Sequence, residues 1–392
     1  MKILFISTEA WSDKSPEGIV VRKLLCGFIE NGVTVDVLTT RSTEVPGINF
    51  EYVIEDKSTN IFSAIMKRVT GIEKRSFVHT AISNLSSYNI NSYNAVITRS
   101  EPFFVHEIGY HIKKKYPSIK WIASFGDPVF INPYNSKSPI KKVIAKKNEK
   151  KYWKTCDLVT HTNRSVIEEY IKNEFEKDKC CVLENPFVSI EKDSTNSRAI
   201  HNQISFAYIG SLYGKRKVDP IIEYLSSVNF DFKLDIIGGV RNIYYENRFG
   251  FITKFFYWRD KRKITSPIGR YKLHDKVNLL PFMEKKDLDE YIHKNIDVLI
   301  NIDAKIGNKN LFLSSKIVEY LQYKKPILNF SIQGATVDFM KNVGVDYFVD
   351  LNNQKNEIIE RDRLSQLIPC KNIDNYTSQQ VTKRLLEKIK SL

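Results

Sequence analysis

Short apolar runs alternate with segments of helical spacing along most of the chain. Lys2–Ile6 reads as a strand. Residues 18–31 set Val20, Leu24, Leu25 and Phe28 on one helical stripe that stops at Gly32. Strands follow at 34–38, 95–97, 121–125, 158–162 and 181–183, with helices at Val105–Lys115 and 165–173 between them. A second series begins at 206–209 and continues through 234–237, Val277–Leu280, 298–300 and 326–330. Its helices fall at about 219–227, 287–294 and 315–323. Strands alternating with helices predict βαβ units and parallel sheets.

The rhythm breaks once. Residues 188–203 are polar, with little periodicity, and read as a linker. The expected organisation is a domain over 1–187, the linker 188–203, and a second domain over 204–375. A C-terminal helix over 376–392 carries Val381, Leu385, Leu386 and Ile389 on one stripe and is expected to pack back on the first domain.

Composition narrows the class. Of 392 residues, 42% are apolar and 27% charged, which is ordinary for a globular chain and excludes a fibrous or disordered one. Sixty Lys and Arg against 45 Asp and Glu leave a net charge of +15, so anionic partners are expected. No apolar run reaches the roughly 18 residues of a transmembrane helix. The opening MKILFISTEAWSD is too short for a secretory leader and reads as the first strand. The cysteines, Cys26, Cys156, Cys180, Cys181 and Cys370, are odd in number and form no C-x-x-C. A disulfide framework or zinc site is therefore not expected, and a reducing cytoplasm fits.

In such folds ligands bind at the carboxyl ends of the strands, so the loops there carry the candidate chemistry. After the first strand, Pro16-Glu17-Gly18 leads into a helix. Gly18 allows a ligand to approach the backbone, or is a plain turn residue. No G-x-G-x-x-G is present, which disfavours a nicotinamide dinucleotide. After 206–209 come Gly210-Ser211-Leu212-Tyr213-Gly214-Lys215-Arg216-Lys217. Glycines with three cations suit a diphosphate, Arg216 adding a bidentate fork; the alternative is a solvated turn. Further on, Ser314 or Ser315 can cap a helix carrying Lys316 and Glu319. Glu319 can accept two hydroxyls of a ribose or sugar; a capping arrangement with an i,i+3 ion pair is the structural alternative. Asp127, in Phe125-Gly126-Asp127-Pro128, projects where a catalytic base would, or starts a turn before Pro128.

Other signals are weak. Asp287-Leu288-Asp289 lies at a polar helix start, where acids favour the dipole. His106 and His111 are five apart and do not share a zinc-binding face. No Ser-His-Asp or Cys-His arrangement can be assigned. Two stretches are basic and aromatic: 136–154, and 241–272 with Phe255-Phe256-Tyr257-Trp258. Both suit an anionic membrane surface, Pro139 opening a helix with Ile140, Val143 and Ile144 on one side. A solvated helix face is the alternative.

Taken in order, 16–18, 121–128, 157–162, 185–187, 206–217, 297–303 and 314–328 resemble the retaining glycosyltransferases of family four. The resemblance implies the α/β GT-B architecture, two facing Rossmann-like parallel-sheet domains with the cleft between them. It implies an N-terminal acceptor domain and a C-terminal nucleotide-sugar domain, with no metal or other cofactor. Gly18, Gly210, Arg216, Lys217, Ser315, Lys316 and Glu319 would bind the donor, Arg216 and Lys217 its diphosphate and Glu319 its ribose. Asp127 is the catalytic candidate and is similar to an F-R-D-P variant. The chain departs from the family where Leu311 replaces the first Glu of E-x7-E and Ser211 replaces the Arg of G-R-L. The expected partners are a nucleotide sugar, a lipid-linked saccharide acceptor and the inner face of the plasma membrane. The expected role is hexosyl transfer in bacterial surface polysaccharide synthesis. The alternatives are another GT-B reaction such as sugar-nucleotide epimerisation, or an inactive subunit. A nucleic-acid binder is disfavoured, since no recognised motif accompanies the charge.

Overall fold

The computed structural model describes residues 1–13, 15–55, 76–100, 103–133, 138–188, 203–212, 216–239, 250–353 and 355–392, with the side chains of 250–256 excepted. Two units are present. The first comprises Met1–Ser189 with Asp374–Leu392, the second Ile190–Ile373. Most of the polar stretch 188–203 lies outside the described residues.

Unit 1 holds a parallel sheet of seven strands in the order β3-β2-β1-β4-β5-β6-β7. The strands are β1 (Lys2–Ile6), β2 (Thr34–Thr39), β3 (Phe50–Val53), β4 (Ala95–Ser100), β5 (Lys120–Phe125), β6 (Leu158–His161) and β7 (Cys180–Val182). β1 pairs with β2 and β4, Ile3 lying opposite Val35 on one side and Ala95 on the other. Because both faces are covered, the central strands are apolar throughout rather than alternating. Ile3, Phe5, Val35 and Ile97 face one core, shared with α1 (Pro16–Glu30) and the last helix. Leu4, Ile6, Leu38 and Val96 face the other, built with α2 (Ser76–Ser83) and α3 (Val105–Lys115). Two further helices described in this unit are α4 (Pro139–Thr155) and α5 (Arg164–Lys172).

Unit 2 holds a parallel six-stranded sheet in the order β10-β9-β8-β11-β12-β13. Its strands are β8 (Ile204–Ile209), β9 (Phe232–Ile237), β10 (Val277–Leu280), β11 (Val298–Ile302), β12 (Ile327–Ser331) and β13 (Val349–Asp350). Its helices are α6 (Asp219–Ser226), α7 (Gly250–Arg270), α8 (Lys285–Asn295), α9 (Ser315–Tyr320) and α10 (Ala335–Asn342). Both sheets reverse strand order beside their first strand, between β1 and β4 and between β8 and β11. Those are the points where such sheets open a crevice.

Boundaries differ from the sequence reading for local reasons. α1 starts at Pro16, because proline is pre-set for the first helical position and Ser15 caps it. The helix expected over 315–323 is α for six residues and closes as a 3-10 turn, Leu321–Tyr323. The sequence reading lacked β3, β13, α2 and α10. Much of 241–272 folds as α7, anchored by buried Ile264 and Ile268.

The chain returns to unit 1 through α11 (Ser378–Ser391), with Val381, Leu385, Leu386 and Ile389 buried. Ser378 donates through its amide (2.7 Å) and its hydroxyl (3.0 Å) to the Phe187 carbonyl. Asn31 Nδ2 donates to the Gln379 carbonyl at 2.8 Å. Gly27 lets α1 and α11 touch, since a Cβ there would lie 2.2 Å from the Ser378 carbonyl oxygen. Helix propensity alone favours Gly27→Ala by about 1 kcal/mol, whereas overpacking costs about 1–3 kcal/mol. Packing should win, so Gly27→Ala is expected to lower the urea unfolding midpoint. A raised midpoint would show that the two helices are not in tight contact.

Candidate functional site

In unit 1 the carboxyl ends of β4, β5 and β6 converge on one buried guanidinium. Arg99, near the end of β4, is 1% exposed. Its Nε donates to Glu17 Oε1 (2.7 Å), Nη1 to Ser124 Oγ (3.1 Å) and Nη2 to Asn185 Oδ1 (3.3 Å). Thr160 on β6 in turn donates to Ser124 Oγ at 2.9 Å. Burial pushes the Glu17 carboxyl up to about 7 against the pull of Arg99, with Asp127 and Glu9 adding to the rise. Gly126 leaves the room this pair needs, since a Cβ there would lie 2.9 Å from Glu17 Oε2.

Asp127 comes directly after it and is exposed. Its loop is held from outside the sheet. Glu149, in the middle of α4, accepts from the amides of Val129 (3.0 Å) and Phe130 (2.9 Å) and from the Tyr170 hydroxyl. Burial raises the Glu149 carboxyl to about 7.

Two histidines lie beneath this loop. His106 Nδ1 is 2.8 Å from Thr98 Oγ1, and His161 is stacked between Phe125 and Tyr170. Burial lowers both to about 3, so each imidazole is neutral at physiological pH and shielded from any substrate. Gly18 does not present a free amide. Its N–H donates to Ser15 Oγ at 3.0 Å, and a Cβ there would lie 2.2 Å from the Ser12 carbonyl oxygen. Its place in the structure is close packing of the α1 start against the preceding loop.

In unit 2 the loop after β8 turns at Gly210, with φ of +106°, a conformation suited to glycine. A Cβ on Gly210 would lie 2.0 Å from Lys316 Nζ, so the lysine lies across the glycine. Lys316 comes from α9, whose approach is set by a buried carboxylate. Asp303 Oδ2 accepts from Asn310 Nδ2 and Ser331 Oγ, both at 2.7 Å, pinning the loop that leads to Ser314. Gly334 closes the same loop, packing its backbone against Asn310. Ser314 is the N-cap of α9 by backbone geometry but makes no side-chain cap bond, and half-buried Ser315 opens the helix. Glu319 pairs with Lys285 of α8 at 3.5 Å. Arg216 is half-buried and near enough for its charge to act on the Tyr320 phenol; Lys217 is exposed. Tyr213, Gly214 and Lys215 lie outside the described residues. Gly210, Lys316, Glu319 and Arg216 thus gather at the switch point between β8 and β11. Among the described residues no group of three His, Cys, Asp or Glu could hold a metal ion.

Solved structures of the same architecture exist. A glycosyltransferase from Rickettsia africae ESF-5 is 16% identical with a TM-score of 0.65, covering 100% of this chain and 98% of that one. Anabaena Alr3699/HepE, in complex with UDP and glucose, is 13% identical with a TM-score of 0.64 over 100% of both chains. The lipopolysaccharide outer core galactosyltransferase WaaB is 13% identical with a TM-score of 0.63, covering 100% and 99%. The fold is GT-B. No protein-family model and no curated protein matches the chain in sequence.

Within this GT-B chain, the sequence reading reached the strand ends of both units but missed Arg99, Glu17 and Glu149. Arg99 was detectable as a charge extending an apolar strand. Glu149 was the one acid in a lysine run, three and four residues before Tyr152 and Trp153. Its burial has a sign that can be measured. A carboxyl raised from 4.5 to about 7 binds its proton more tightly folded than unfolded. Its stabilising contribution is complete below pH 4.5 and is lost as pH rises through about 7. Unfolding free energy should therefore fall more steeply over that window in the wild type than in Glu149→Gln, by up to about 3 kcal/mol. Urea titrations across pH check this; parallel curves would remove Glu149 from the balance.

Proposed function

We propose that the protein is a metal-independent, retaining glycosyltransferase that moves a sugar from a nucleotide sugar to a lipid-linked saccharide, in surface polysaccharide synthesis. The observation that carries the reading is the group at the switch point of unit 2. A lysine laid over a glycine, an arginine and a carboxylate stand where a sugar nucleotide would present phosphates and ribose hydroxyls. Lys316, Arg216 and Lys217 would supply the positive charge that a metal ion otherwise gives a leaving diphosphate. Ser315 would add a hydroxyl to the phosphates and Glu319 would take the ribose. Gly210 gives the diphosphate close access to the backbone. Gly18, its amide already used, would serve unit 1 only by its small size. In that unit Asp127, on a loop clamped by Glu149, would meet the acceptor hydroxyl. HepE was solved with UDP and with UDP-glucose, which supports a nucleotide-sugar ligand for this fold.

Calorimetry with UDP and GDP tests the donor site. Glu319→Ala should weaken the better ligand by about 1–3 kcal/mol, since the ribose hydroxyls lose a charged acceptor. The double variant Arg216→Ala/Lys217→Ala should weaken it as well, and EDTA should not matter. Unchanged affinity in both variants, or a strict need for Mn²⁺, would overturn the assignment.

The lipid-linked acceptor rests on α4. No helix among the described residues is long and apolar enough to cross a membrane. At the start of α4, Ile140 and Val143 are 66% and 67% exposed and lie three apart on one face. Lys142 and Lys147 are exposed beside them, while Lys146 covers the Phe130 ring. Trp258 on α7 is also exposed, under Arg262; Phe255 and Phe256 lie outside the described side chains. Apolar tips ringed by lysine suit the headgroup plane of an anionic membrane, at the inner face of the plasma membrane. Acidic liposomes should sediment the protein at low salt and release most of it near 1 M, where the Debye length is about 3 Å. Lys141→Glu/Lys142→Glu/Lys147→Glu, sparing Lys146, should abolish sedimentation. A wild type that ignores acidic liposomes at low salt would sink the membrane reading.

A further inference from the structure

Four strands of unit 2 end side by side in the order β10, β9, β8, β11. The residues just past their ends are of different kinds. Phe282 comes after β10 and is 57% exposed. Gly238 comes after β9 with φ of +68°, and Gly210 after β8 with φ of +106°. Lys316 belongs to the helix after β11 and reaches back over Gly210. The row is continuous. A Cβ on Gly238 would lie 3.8 Å from Phe282 Cα and 3.9 Å from Gly210 Cα. An aromatic ring and an ammonium therefore stand at two ends of a floor that carries no side chain. Lys316 Nζ lies over the end of β8, and strands spaced about 4.8 Å apart put roughly 10 Å between β10 and β8. A bare phosphate would need only the cationic end of such a floor.

Phe282 is also held in place. Three residues on, Lys285 reaches Glu319 Oε1 at 3.5 Å and the Tyr323 hydroxyl at 3.0 Å. The loop carrying the ring is thus tied to the segment carrying Lys316 and Glu319. A large apolar ring kept in water on an anchored loop gains free energy when a flat apolar surface covers it.

We infer that Phe282 is the platform on which the base of a nucleoside diphosphate stacks, the diphosphate running over Gly238 and Gly210 toward Lys316. This rests on the reading of unit 2 as the nucleotide-sugar site. Every base has a π face, so the ring supplies affinity without choosing the base. The choice falls to hydrogen bonds at the base edge.

Calorimetry with UDP, GDP and inorganic pyrophosphate on the wild type, Phe282→Ala and Phe282→Trp tests the inference. Phe282→Ala should weaken both nucleotides about tenfold or more and leave pyrophosphate unchanged. Phe282→Trp should retain the nucleotides, with indole emission quenched on binding. The exposed position predicts unchanged unfolding midpoints for both variants. Wild-type nucleotide affinity in Phe282→Ala, with Glu319→Ala still impaired, would overturn the stacking role and leave the nucleotide site standing. Equal loss of pyrophosphate would also overturn it, placing the effect on the floor rather than the base. A wild type that binds neither nucleotide would overturn both.

Discussion

A guanidinium does not give up its proton, so a buried arginine must be answered by acceptors brought in with it. Arg99 is answered by three parts of unit 1 that are far apart in sequence: Glu17 at the start of α1, Ser124 on β5 and Asn185 after β7. Removing one partner of such a pair strands a charge, at a cost of about 3–5 kcal/mol. The requirement fixes where α1 begins relative to the sheet and keeps residue 126 a glycine. Asp127 inherits its position from that arrangement on one side and from the Glu149 clamp on the other.

Unit 2 reaches an organised strand edge by a different route. Its edge is set by a carboxylate, Asp303, which gathers Asn310 and Ser331 and so delivers α9. The cation, Lys316, is left at the rim, crossing Gly210. A charge used to hold structure is saturated with partners. Lys316 also lies over the Tyr208 ring, 5.5 Å from its centroid.

The βα rhythm made most of the fold legible, because buried parallel strands such as β1 and β11 are unbroken apolar runs. β3 was missed, since its residues are half-exposed and come after a turn-rich stretch. The candidate positions legible in sequence, Gly210, Lys316, Glu319 and Asp127, are those in short motifs near strand ends. Residues were not legible where a role depends on partners brought together by the fold. By spacing Glu319 has Lys316 as its local pair, and the fold adds Lys285, thirty-four positions upstream on another helix. Glu149 reads in sequence as one acid among lysines, and only burial against Tyr170 separates it from its neighbours.

α4 shows how one periodic segment can carry two unrelated duties. Lys142, Lys147, Lys154, Ile140 and Val143 face outward, while Glu149, Tyr152 and Trp153 are buried. From Ile140 to Glu149 the helix rises roughly 14 Å at 1.5 Å per residue. On the membrane reading, a helix docked by its first turns would therefore hold the Asp127 loop at a fixed height above the lipid. The lysine run cannot then be replaced freely by other solubilising charge. Its outward face is set by the surface it meets, and its inward face by the two amides, of Val129 and Phe130, that Glu149 must reach.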